Sequence, residues 1–233
     1  LVSRICLKDK TMVGSFAQGA VRGSAAILGI PFVTNIYGNP GMIPLMILAA
    51  VPLFNAYSVV ILTISSRKFL SGSKTKIQYR LILKSIFKNP LIRGILIGFP
   101  FCILGIKLPP ILDKSLTSIG TMAVPLMLIS IGADFKMSDL TAKFKLSAIA
   151  SAIKLVILPL AVLPIAIYMG FRDSALIAIL VMLGAPSAVS GYIMSKAMDN
   201  DYVLMSNIVV MTTLLSSVTF TFWIFILRYT ALI

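Results

Sequence analysis

Two prolines sit where a helix should not tolerate them. Gly29-Ile30-Pro31 lies inside one long apolar stretch and Gly184-Ala185-Pro186 inside another. An interior proline removes an amide donor and clashes with the preceding turn, at about 3 kcal/mol. In a bilayer the freed carbonyl has no water to turn to, so it must face protein or an aqueous cavity. Neutral polar side chains flank both breaks: Ser24, Thr34 and Asn35 at the first, Ser187 and Ser190 at the second. A broken-helix N-terminus offers unpaired N–H groups and the positive end of a dipole, which suits a carboxylate without any charged side chain.

Two cations fall in apolar stretches. Lys154 lies near the middle of residues 146–168, ahead of Pro159 and Pro164. An ionisable group at midplane depth costs about 2.5–3.5 kcal/mol or more and is a functional candidate by default. Two roles are open to it: a positive charge facing an anionic substrate, or a lysine that snorkels or pairs with a carbonyl. Arg22 precedes Pro31 by nine residues, about 13 Å along a helix. It either reaches the same region or snorkels to the inner interface. The seven acids are all Asp and all lie near segment ends, in turns or in the first residues. A cation-coupled exchanger would keep a buried carboxylate for its ion, so the charge pattern favours an anionic substrate. With no histidine and only Cys6 and Cys102, neither a metal site nor a cofactor is expected.

The elements that position these residues are membrane spans. The 233-residue chain is 58% hydrophobic and 12% charged, where a soluble domain carries about 25% charged residues. Seven apolar segments run over 14–37, 42–64, 91–107, 111–133, 146–168, 174–197 and 203–228. Each approaches the ~20 residues of a spanning helix; the third is shortest and is stopped by Pro109 and Pro110.

The net charge of +14 reflects basic loops rather than a nucleic-acid partner. Residues 65–93 carry eight Lys or Arg and no acid, which places this stretch in the cytoplasm by the positive-inside rule. Counting outward, residues 1–13, 134–145 and 196–202 share that side. The turns at 38–41, 107–114 and 170–173 and the C-terminus take the other. Within the loop, residues 78–88 are basic and amphipathic, either a helix on the anionic inner leaflet or a solvated extension of the next span. Trp223, Tyr229, Tyr37 and Phe171 fall near outer ends, as interfacial aromatics do.

Aligning Pro31 with Pro186 also matches Gly29 with Gly184 and Tyr37 with Tyr192. The two broken spans run in opposite directions, the sign of an inverted repeat about an axis in the membrane plane. The second half holds five spans and the first only two. Equivalent halves imply three spans before Leu1, on the order of 80 residues at ~20 per span plus turns; the alternative is a seven-span protein. On the first reading residues 1–64 are spans 4 and 5 of a first repeat, 65–88 the cytoplasmic loop, and 89–233 a complete second repeat.

The chain resembles the auxin efflux carrier family, which includes bacterial malate- and malonate-type permeases. The resembling residues are Gly29-Ile30-Pro31-Phe32 with Tyr37-Gly38, Asn89-Pro90-Leu91-Ile92, and Gly105-Ile106-Lys107-Leu108-Pro109. They continue with residues 120–132, Lys154-Leu155 with Pro159, Ala185-Pro186-Ser187-Ala188-Val189, Ser195-Lys196 and residues 213–217. The resemblance implies an all-α polytopic membrane protein of the bile-acid/auxin carrier type, with ten spans in two inverted five-helix repeats, seven of them here. It implies broken helices crossing at Pro31 and Pro186, and carriage of mono- or dicarboxylates by elevator-like alternating access. Lys154 matches the basic residue five positions before a proline in the eighth span. The family often has Asn seven residues before the first crossover proline; Ser24 stands there in this chain and offers fewer hydrogen bonds. A plasma-membrane location, a homodimer and a coupling proton or sodium ion accompany the resemblance.

Taken together, the expected substrate-binding residues are Lys154, Arg22, Ser24, Pro31, Pro186, Ser187 and Ser190. The competing classes are a channel, an intramembrane enzyme and a non-transporting assembly subunit. A channel should show charge rings or filter loops, and none is present. An enzyme lacks its inventory: there is no His, no G-x-S-x-G and no pair of deep Asp residues. An assembly subunit has no need of two matched broken helices.

Overall fold

The structure, a computed structural model, describes residues 7, 9–66, 87 and 90–233, apart from the side chains of residues 26–28, 90–92, 95 and 102. The basic amphipathic stretch 78–88 lies outside the described residues except for the exposed Phe87, as does most of the 65–88 loop. Ten α-helices are described: α1 (Lys10–Val21), α2 (Ala25–Tyr37), α3 (Ile43–Ser65), α4 (Pro90–Ile103), α5 (Pro110–Asp134), α6 (Met137–Ala152), α7 (Leu158–Tyr168), α8 (Asp173–Gly184), α9 (Ser190–Ala197) and α10 (Tyr202–Tyr229). A π-helical turn over Ile153–Ile157 joins α6 to α7. The described residues contain no strand, and one isolated antiparallel bridge joins Gly23 to Ser187.

Every apolar segment is helical. Four lengths are long and apolar enough to cross a membrane: α3, α5, α10 and the continuous α6–π–α7 run. The segments at 14–37 and 174–197 are each split, into α1 and α2 and into α8 and α9. The third segment differs from expectation at its end, since α4 stops at Ile103.

Local chemistry sets several boundaries. Asp9 caps α1 by accepting from the Thr11 amide at 2.9 Å, and Asp201 caps α10 by accepting from the Leu204 amide at 2.9 Å. Gly38, at φ 75°, closes α2 in the left-handed conformation that glycine adopts without strain.

The helices α6 and α10 pack along each other, with α1 against α3, α6 and α10, and with α2 between α3 and α8. Apolar side chains of α2, α3 and α8 (Val33, Ile43, Ile177, Val181) close one cluster, and Leu163, Leu176, Trp223 and Leu227 close another. By contrast α4 rests on α3 and α5 on α9. Only 6% of the most apolar window of α5 is buried; side chains such as Ile111 and Ile119 point outward, as lipid-facing residues do.

The turns sort to two ends, as the charge pattern anticipates. At one end Asp201 pairs with Lys143 and Asp134 with Lys196. There the Asn200 amide also donates to the Leu62 carbonyl at 2.9 Å. At the other, Gly41 packs against Ser174 and the Asp173 amide donates to Leu232 at 3.0 Å.

Candidate functional site at the crossing of two broken helices

The two breaks meet. Residues 22–24 are paired antiparallel with residues 186–188: the Ser24 amide donates to the Pro186 carbonyl at 2.8 Å, and the Ala188 amide to the Arg22 carbonyl at 3.1 Å. Each unwound segment therefore satisfies backbone groups of the other, as unwound backbone at membrane depth must. Arg22 and Ala185 are both extended.

Pro186 sits at the crossing as expected, but Pro31 does not. Pro31 lies inside α2, seven residues beyond Ser24. The first break carries no proline. Gly23 is the weak helix former there, costing about 1 kcal/mol relative to Ala in a helix, and the pairing with 186–188 replaces the lost helical bonds. A proline inside a helix need not unwind it, and α2 runs on through Pro31 to Tyr37. Gly23, not Pro31, lies opposite Ser187.

Lys154 is fully buried. Its Nζ donates to the Val21 carbonyl at 2.8 Å and to the Met182 carbonyl at 3.2 Å. Val21 ends α1, and Met182 is two residues from the end of α8. The Met182 oxygen has a further significance. In a continuous helix its donor would be the amide four residues on, which is Pro186 and has no N–H. Lys154 supplies the missing hydrogen. The π-turn over Ile153–Ile157 carries this lysine, and such bulges are frequent at functional sites.

The same device recurs at Leu155, the residue after Lys154. Pro159 cannot serve the Leu155 carbonyl, and Trp223 Nε1 donates to that oxygen at 3.0 Å. Trp223, on α10, is thus buried against Leu163 of α7 and Leu176 of α8. The indole supplies the hydrogen that Pro159, four residues on, cannot.

Arg22 does not snorkel. It is 7% exposed and its guanidinium is held within the bundle. Nη2 donates to Asn55 Oδ1 at 2.7 Å and to Ser190 Oγ at 2.9 Å. Nη1 donates to Ser58 Oγ at 3.4 Å and Met194 Sδ at 3.0 Å. All four partners are neutral.

Ser187 is buried; its amide donates to Thr212 Oγ1 at 3.1 Å and its hydroxyl to the Gly19 carbonyl at 2.5 Å. It ties the second break to α1 and α10. Ser24 precedes α2 without a side-chain capping bond. Pro31 and Pro186 line one cavity of about 300 Å³ together with Phe32, Asn35, Val181, Ser216, Ser217 and Phe220. Phe32 and Phe220 meet edge to face with centroids 5.3 Å apart. This cavity lies on the α2 side of the crossing, whereas Arg22 points the other way, toward α9 and the second half of α3.

Asn55, Ser58, Met194 and Gly23 were not anticipated as members of this site. Asn55 carried a signal, being an amide in the middle of an apolar segment. Met194 carried none, since a methionine in a span is ordinary packing material.

The fold defines a multi-pass α-helical membrane protein with its polar groups gathered where two interrupted helices cross. The chain belongs to the family of membrane transport proteins, the auxin efflux carrier family, whose match covers residues 1–224. A relative from Methanothermobacter thermautotrophicus, described as an uncharacterized transporter, is 25% identical over 215 residues, 92% of this chain and 68% of the relative. The protein is a membrane transporter.

Proposed function

We propose that this transporter carries small organic anions, mono- or dicarboxylates, by alternating access around the crossing of α1–α2 and α8–α9. The observation that carries the reading is electrostatic. Arg22 and Lys154 are both buried at the crossing, and none of their hydrogen-bond partners is an acid. Buried charge is expensive unless matched, and a transporter can leave part of that match to its substrate. The reading extends to ten spans in inverted five-helix repeats, with the segments here as spans 4 to 10. It further places the protein in the plasma membrane as a homodimer with no enzymatic step, coupled to a proton or sodium ion.

The test is uptake into proteoliposomes containing the purified protein, with radiolabelled malate, malonate and benzoate against equally labelled alanine and sodium. Saturable uptake of at least one carboxylate, competed by unlabelled anion, is expected. Uptake confined to neutral or cationic solutes overturns the anion reading and leaves the transporter fold standing.

A further inference from the structure

Deepening the anion reading above and resting on it, we infer that the two buried cations divide the work: Lys154 permanently fastens the helix ends, and Arg22 alone meets the substrate carboxylate.

Lys154 is compensated already. The C-terminal end of a helix carries about half a negative charge, and the ammonium sits against the last turns of both α1 and α8. Two half-charges balance one ammonium, and two carbonyls, at 2.8 and 3.2 Å, occupy its hydrogens. One of those carbonyls is the acceptor that Pro186 leaves empty. Gly23 lies close by: a β-carbon there would be 2.9 Å from Lys154 Nζ. A carboxylate bound to this lysine would have to take it from both helix ends and unfasten the crossing.

Arg22 is hydrogen-bonded but not neutralised. Its partners are an amide oxygen, two hydroxyls and a thioether sulfur. Ser190 is the first residue of α9, so the nearby helix end adds positive potential rather than cancelling it. The Nη1 contacts are the weak ones: a hydroxyl at 3.4 Å and a sulfur, and sulfur is a poor acceptor. A carboxylate exchanged for these two would form charge-assisted bonds roughly twice as strong as neutral ones. The N–H groups of Asn55, whose oxygen already accepts from Arg22, and the hydroxyl of Ser190 supply further donors at the same place. The ligand class is therefore a carboxylate that docks between α1, α3 and α9.

The experiment is thermal unfolding of the protein purified in detergent, with malate, malonate or benzoate added against chloride at equal ionic strength. The wild type is compared with Arg22→Met, Arg22→Lys and Lys154→Met. The expected wild type melts higher with at least one carboxylate. Arg22→Met removes that shift while its ligand-free melting temperature holds or rises, because a buried unmatched charge has gone. Arg22→Lys keeps a smaller shift, with binding weakened more than about tenfold through loss of the planar fork. Lys154→Met lowers the ligand-free melting temperature, or fails to fold, and where folded still responds to the anion. A shift that survives Arg22→Met overturns this assignment alone. So does loss of the shift in Lys154→Met at an unchanged ligand-free melting temperature. No shift of the wild type with any carboxylate overturns the anion reading and this assignment together.

Discussion

Gly23 lies against Lys154: a β-carbon on this glycine would stand 2.9 Å from the lysine ammonium and 3.1 Å from the Met182 carbonyl. The glycine is there for space, not for an unusual backbone angle. The lysine can reach the two helix ends only because nothing projects from the residue between them.

Gly23→Ala should therefore destabilise the protein. The lysine tip could move, but the Met182 carbonyl belongs to α8 and cannot. Overpacking of this kind costs about 1–3 kcal/mol, read as a lower melting temperature in detergent. An unchanged melting temperature would show that the crossing is looser than these distances imply.

Trp223→Phe tests the second replaced donor. Phenylalanine keeps most of the aromatic packing against Leu163, Leu176 and Leu227 but leaves the Leu155 carbonyl without its indole partner. A buried acceptor left unmatched costs about 1–3 kcal/mol. Equal stability of wild type and W223F would mean that another donor, such as water, can serve this carbonyl.

Pro186→Ala restores an amide four residues after Met182. That amide can bond to the Met182 carbonyl and compete with Lys154 for it, lengthening α8 into the break. The expected result is a melting temperature held or raised, with carboxylate uptake reduced. Uptake at the wild-type rate would argue that the break is held by its pairing with residues 22–24 alone.

Asp201 has two separable tasks: one oxygen caps α10 through the Leu204 amide and the other pairs with Lys143. Asn is as good a cap as Asp, so D201N removes only the ion pair. D201A removes both and should be less stable than D201N by about 1 kcal/mol. Equal melting temperatures for the two variants would assign the stability to the ion pair and none to the cap.

Much of this architecture was legible in the residues themselves. Helices and their approximate ends follow from long apolar runs, because a bilayer leaves the backbone no alternative. The grouping of turns at two ends follows from basic residues, and the Lys143–Asp201 and Lys196–Asp134 pairs at one end agree with it. Pro186 marked the second break, and Lys154 stood out because an ammonium amid apolar residues has few places to go.

Tertiary structure decided the remainder, since it depends on which donor meets which acceptor across distant segments. Pro31 advertises a break but lies within a continuous helix, while Gly23, unremarked in sequence, lies at the real one opposite Ser187. Trp223 has the look of an interfacial aromatic and serves a carbonyl vacated by Pro159. Arg22 has the length to snorkel and is held inside by Asn55 and Ser190, from α3 and α9. A sequence states which backbone groups a proline or glycine will free. Only the packed fold determines what comes to satisfy them, because the partners can lie 168 residues away, as Ser187 does from the Gly19 carbonyl.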